Sequence, residues 1–186
     1  PRLSTRLAMS ARSHADRRAA VSRIATADEG RLEIATLPLH HGGRLAPATI
    51  SWRLAGAAGA PVVAALGGIS AHRRVFDADD PRRGWWSELA GPGLPLDTDR
   101  FRVLAIDWLG GGGSTCPGRD QLDFPLLDSR DQANALLAVC DSLGVESLHA
   151  IAGASYGGMV ALALAAGHPN RVGQVPQTRR FAGPIL

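Results

Sequence analysis

Directly after an apolar run the chain reads Gly153-Ala154-Ser155-Tyr156-Gly157, a single serine with glycine two residues away on either side. A serine hydroxyl is a weak nucleophile near neutral pH. It gains reactivity when a base takes its proton and preorganised donors await the oxyanion that forms on attack. Glycines serve that chemistry sterically: they permit a sharp turn with strained dihedrals, and they let neighbouring backbone approach where a Cβ would obstruct it. The flanks fit. "SLHAIAG" reads as an extended apolar segment ending at the motif, and Tyr156 to Ala166 reads as a helix closed by Gly167 and Pro169. Strand, G-x-S-x-G, helix is the context of a nucleophile elbow, which lifts the hydroxyl to the carboxyl end of a sheet and aims the next helix's N-terminal N–H groups at the oxyanion. Ser155 is the candidate nucleophile.

Such a site needs a second N–H, from the loop after an earlier central strand. "ALGGISAH", Ala65 to His72, follows the strand-like "PVVAAL" and carries adjacent glycines, so Gly67 and Gly68 are the candidate donors. An ordinary glycine turn is the alternative. The other glycine run, "WLGGGGSTCPG", follows "RVLAID" and invites comparison with a phosphate cradle. It fits no G-x-G-x-x-G pattern, and Pro117 and Gly118 oppose a helix starting there, so it reads as a loop forming a pocket wall.

The elements that must carry these loops alternate. From about residue 45 onward extended and helical signals take turns, as in an α/β fold with a mostly parallel sheet and flanking helices. "ATISW", "PVVAAL" and "RVLAID" read as strands, and "RRGWWSELAG" as a short helix or an irregular segment. From Ser129 to Leu143, Ala133, Leu136, Leu137 and Cys140 recur at helical spacing, with Asp131 in the first turn and Gly144 after the last.

Composition bounds the function classes. The 186 residues suit one domain or part of one, and a hydrophobic share of 45% with 20% charged residues is that of a globular protein. No run reaches the roughly 18 apolar residues that span a bilayer. All 20 basic residues are arginine, and six lie in the first two dozen positions beside several Ser and Ala. Residues 1–30 are therefore expected to be a disordered leader or an organelle transit peptide. Without interleaved aromatics to stack on bases, that segment does not read as a nucleic-acid arm. Cys116 and Cys140 lack C-x-x-C spacing, so neither a zinc site nor a disulfide framework is expected, and a cytoplasmic protein with reduced thiols is.

Three stretches resemble the homoserine O-acyltransferases of the α/β-hydrolase superfamily: "GWWSELAGPGLPLDTDRF", "LGGGGST" after a strand, and "GASYGGMVALALAAGHPNRV" after "SLGVESLHAI". The likeness runs from about Pro61 to Val172. It implies transfer of an acetyl or succinyl group from acyl-coenzyme A, a co-substrate and not a tightly bound cofactor, to the hydroxyl of L-homoserine. That is a step of methionine biosynthesis, passing through an acyl-enzyme on Ser155. It further implies oxyanion amides at Tyr156 and Gly67, no metal, no nucleic-acid or membrane partner, and a possible homodimer. The chain departs from the family in having Ala65 to Ile69 where a His-Ala-Leu-Thr-Gly type loop is usual, and Tyr156 where Met is usual; backbone donors survive both changes.

In this superfamily an Asp or Glu and then a His follow the serine. From Tyr156 to Leu186 there is no Asp or Glu, and the only His is His168, which reads as part of the helix closure. His72 precedes the nucleophile and reads as pocket-lining; His40, His41 and His149 read as structural, and His14 lies in the leader. The expected organisation is a leader over 1–30, the N-terminal part of an α/β-hydrolase domain over 31–175, truncated after the nucleophile helix, and a divergent tail over 176–186. Three readings stay open: a catalytically incomplete acyltransferase, a serine hydrolase of the same fold, and a non-catalytic α/β binding module.

Overall fold

The structure, a computed structural model, describes residues 26–173, so the tail and most of the expected leader lie outside the described residues. The elements run β1 (Thr26–Ile34), β2 (Leu37–Pro38), β3 (Arg44–Leu45), β4 (Ala48–Gly56), β5 (Val62–Leu66), β6 (Ala90–Gly91), β7 (Leu96–Asp97), β8 (Arg102–Ile106), α1 (Ser129–Ser142), β9 (Ala150–Gly153) and α2 (Tyr156–Gly167). Five strands form the main sheet in the order β1-β4-β8-β5-β9.

Four of the five strands of that sheet run the same way, as expected of a mostly parallel sheet, and β4 alone is reversed. β8, β5 and β9 run parallel, whereas β1 on β4 and β4 on β8 are antiparallel. The link from β1 to β4, residues 35–47, carries only the small β2–β3 hairpin and no crossover helix, and β4 returns antiparallel beside β1. β1 begins at Thr26, inside the segment assigned to the leader, and pairs with β4 along its whole length. Near its middle Gly30 faces Trp52, whose indole fills the space a Cβ would take.

β5 is buried at every position, as a strand covered on both faces must be. One side packs Leu66, Leu104, Leu136, Val160 and Leu164 into the main core. Helix α1 starts on a capping box: the Asp128 side chain accepts from the Arg130 and Asp131 amides, and the Asp131 carboxylate accepts from the Asp128 amide. It ends at Leu143, with Gly144 at φ +68°, where the sequence signals place the stop. "RRGWWSELAG" is irregular: a single 3-10 turn at Pro81–Arg83, then turns leading into β6, with Trp85 and Trp86 packed against a smaller cluster around Val75 and Phe76. Among the described residues no helix is long and apolar enough to cross a membrane.

Candidate active site

β9 passes into α2 through Ser155, which has φ 53° and ψ −122° and is the only non-glycine residue with positive φ among the described residues. Holding an L-residue there costs on the order of 1–3 kcal/mol, so the surroundings must over-determine it. They do. The Ala154 amide donates to the Leu66 carbonyl at 2.9 Å, and the Gly157 amide donates to the Gly67 carbonyl at 2.8 Å. A Cβ on Gly157 would strike the Leu66 carbonyl oxygen, and one on Gly153 would strike the Gly157 carbonyl. Both glycines of the motif are thus required by backbone passing over backbone.

The turn leaves Ser155 exposed, and its side chain makes no capping bond to the helix it starts. Its hydroxyl is free for other partners. Tyr156, at the first helical position, has an amide with no intrahelical acceptor. Across the turn the loop after β5 has its carbonyls occupied: that of Gly67 by Gly157, and that of Gly68 by the Ala71 amide and the Trp108 indole N–H, both at 2.9 Å. The amides of Gly67, Gly68 and Tyr156 donate in none of the turn, loop or side-chain hydrogen bonds among the described residues. Two donor-bearing backbone segments therefore flank an exposed serine, an arrangement suited to holding an oxyanion on a carbonyl attacked by that serine.

Beside the elbow lies a cleft of about 350 Å³ whose wall includes Ile69, Trp108, Gly110, Phe124 and Tyr156. The glycine run does line a pocket. Trp108 and Tyr156 meet edge to face, ring centres 5.4 Å apart, and burial pushes the Tyr156 phenol's pKa up, so it stays a neutral hydroxyl. Buried Gln132 on α1 fixes the cleft's floor: its Oε1 accepts from the Leu109 amide at 3.0 Å and its Nε2 donates to the Leu109 carbonyl at 2.9 Å. Sequence reading missed Gln132, because only the apolar members of the helical period were followed; a polar residue on the buried face beside Ala133 was the available signal.

No histidine among the described residues bonds to Ser155. His168 closes α2, donating its amide to the Leu164 carbonyl at 2.8 Å, with its ring 3.2 Å from Asn134 Oδ1. Twelve helical residues separate it from the elbow, about 18 Å of rise, far beyond hydrogen-bond reach. His72 lies in the loop that bears Gly67, accepting from the Arg74 amide at 3.2 Å, and lines a cleft with Asp107 and Trp108. His149 stacks on Phe101, His40 donates its amide to Asp131, and His41 pairs with Asp128. His14 lies outside the described residues. Cys140 is buried and its thiol is pushed up to about 12 by burial, while Cys116 is exposed.

The two loop glycines differ in one testable way. A Cβ at Gly67 would meet Ala71 and the Trp85 ring, whereas Gly68 has open space there. Gly67→Val is therefore expected to shift the loop, lowering both the melting temperature and, in the full-length protein, the rate of acylation, by up to about 10²–10³ if one oxyanion donor is lost. Gly68→Ala should leave the melting temperature within a degree or two. Thermal denaturation of the two variants side by side checks the contrast; equal melting temperatures would contradict it.

Comparison with known proteins places these features in context. A family described as alpha/beta hydrolase fold matches residues 66–175, from the end of β5 past α2. The chain is 42% identical over 140 residues to the homoserine O-succinyltransferase of Xanthomonas campestris pv. campestris, a match covering 75% of this chain and 36% of that protein. It is 40% identical over 151 residues to the homoserine O-acetyltransferase of Symbiobacterium thermophilum, covering 73% and 39%. Among solved structures, esterase E22 superposes with a TM-score of 0.69 at 27% identity, over 79% of this chain and 46% of that one. The chain thus spans well under half the length of the curated relatives it matches.

Proposed function

The chain belongs to the α/β-hydrolase fold family, and from that premise we propose that it carries the nucleophile of an acyltransferase moving an acetyl or succinyl group from acyl-coenzyme A to the hydroxyl of L-homoserine. The observation that supports this most is the Ser155 backbone at φ 53°, an unglycine-like strain kept at the one serine that the relatives' family would use. In the reaction a base takes the Ser155 proton while Oγ attacks the thioester carbon. The carbonyl oxygen becomes an oxyanion facing the amides of Tyr156 and Gly67. Collapse breaks the C–S bond, and coenzyme A leaves as the thiol after receiving the proton. The homoserine hydroxyl then gives up its proton, attacks the Ser155 ester, and leaves as the O-acyl product with Ser155 restored.

A second reading, a serine hydrolase in which water replaces the acceptor, is favoured by the likeness to esterase E22. Acceptor dependence separates the two. Full-length protein incubated with acetyl- or succinyl-coenzyme A and digested for mass spectrometry should carry the acyl group on the Ser155 peptide, and homoserine should discharge it faster than buffer does. An adduct on Cys116 would overturn the assignment, and discharge indifferent to homoserine would favour the hydrolase.

The base is a separate matter. With no Asp or Glu from Tyr156 to Leu186 and His168 a helix length away, these 186 residues are expected to release no coenzyme A in the steady state. A residual acceleration of about 10³–10⁴ over water is all that binding and an oxyanion hole supply without their catalytic partners. Sustained release by purified chain of this length, absent in Ser155→Ala, would show that a residue such as His72 can act as the base.

A further inference from the structure

We propose that Asp107 is a positioning residue, which acts through Arg73 to set the loop that bears the Gly67 and Gly68 amides; the proposal rests on the reading of Ser155 given above. Asp107 stands one residue past β8, with its side chain only 6% exposed. Both of its oxygens are spent on a single partner: Oδ1 accepts from the Arg73 amide at 2.6 Å and Oδ2 from Arg73 Nη1 at 2.5 Å. The carboxylate therefore grips a backbone atom as well as a charge. Arg73 follows directly on His72 and so pins the far end of the Gly67–His72 stretch, within irregular chain that runs on to the 3-10 turn at Pro81. At the other end the Gly67 carbonyl is tied to the Gly157 amide, and between the two the Trp108 and Trp85 indoles donate to the Gly68 and His72 carbonyls.

The anchor is itself rigid. The Asp107 amide donates to the Ser51 carbonyl on β4 at 2.9 Å, and the Asp107 carbonyl accepts from Ser114 Oγ at 2.7 Å. Gly113 packs against the carboxylate so closely that a Cβ would collide with it, so the glycine run closes over the pair. Behind it, Arg73 Nε reaches Glu29 at 3.4 Å, and Glu29 also meets Arg53 and Arg74. A buried ion pair is a weak device for stability alone. Here it sits at one end of a segment whose amides must stand about 2.7–3.1 Å from a developing oxyanion. Displacement of such a segment by about 1 Å is enough to cost on the order of 10²-fold in rate.

Asp107→Asn keeps an acceptor for the Arg73 amide but loses the charge that orients the guanidinium; Arg73→Met keeps the amide bond and removes the guanidinium; Arg73→Lys restores a cation. The acylation rate of Ser155 and the KM for acyl-coenzyme A would be measured for each in the full-length protein, with Ser155→Ala as control. Expected is a loss of about 10- to 100-fold in the acylation rate for Asp107→Asn and Arg73→Met, with KM changed less than about threefold and partial recovery in Arg73→Lys. Wild-type acylation in folded Asp107→Asn, or a change confined to KM, would overturn the proposal. Should Asp107→Asn fail to fold, an unimpaired Arg73→Met overturns it equally. Wild-type protein that never acylates Ser155 would instead remove the functional reading on which the proposal stands.

Discussion

Ser155→Ala in the full-length protein is expected to reduce acyl transfer by about 10⁶-fold while leaving the melting temperature within about two degrees of wild type. The first magnitude is that seen when a catalytic serine is removed from a preorganised acyl-transfer site. The second follows from the local structure. The Ser155 hydroxyl makes no helix-capping bond, so alanine loses none, and alanine at φ 53° carries the same steric strain as serine. Glycine would not: Ser155→Gly relieves a strain of about 1–3 kcal/mol and gives back about 0.5–1 kcal/mol in backbone entropy, so it should be equally inactive yet melt higher. Coenzyme A release and differential scanning calorimetry on the three proteins test both statements. Retained turnover in Ser155→Ala would sink the proposed mechanism, and a Ser155→Gly protein that melts below Ser155→Ala would contradict the strain.

The largest effect on folding is expected at Gly157. A methyl group there would occupy the position of the Leu66 carbonyl oxygen, and the Gly67 carbonyl lies just beyond it. Neither is a side chain that can swing away. Gly157→Ala must therefore push α2 off the end of β5, weakening the bonds from Gly157 to Gly67 and from Ala154 to Leu66, and with them the Leu66–Gly153 end of the β5–β9 ladder. Two lost hydrogen bonds at about 0.5–1.5 kcal/mol each and overpacking of about 1–3 kcal/mol give a loss of roughly 2–6 kcal/mol. That is a large part of the ~5–15 kcal/mol that holds a domain folded. Gly167→Ala, at the far end of the same helix with nothing within 4 Å of its Cβ position, is the matched control and should cost nothing measurable. Urea denaturation of this chain measures both; equal midpoints would mean that the helix does not approach the strand this closely.

What the sequence disclosed was local. The elbow lies within five consecutive residues, and β5 and, after Arg102, β8 are apolar runs, so composition and order alone located them. The capping box at Asp128 and the stop at Gly144 bracket α1 in the same local way. β1 was missed because its nine residues hold Asp28, Glu29, Arg31 and Glu33, leaving only Leu32 and Ile34 as large apolar side chains. Its place comes from the β4 ladder and from Glu29 meeting three arginines, Arg53, Arg73 and Arg74, partners scattered along the chain with no period to reveal them. The Asp107–Arg73 pair was hidden for the same reason: each residue alone looks like an ordinary polar position at the end of a strand or loop. The reversal of β4 escaped notice because strand signals carry no direction.

The strand order has a consequence for how the protein comes into being. β1 and β4 are near neighbours along the chain, whereas β5 must wait for β9, pairing Val63 with Ala150 and Leu66 with Gly153. Contacts between distant residues carry the larger loop-closure entropy and tend to form late. The turn at Ser155 hangs wholly on that last pairing, since its two restraining carbonyls belong to Leu66 and Gly67. A nascent chain therefore assembles its scaffold first and sets the serine into its strained conformation only when β9 zips onto β5.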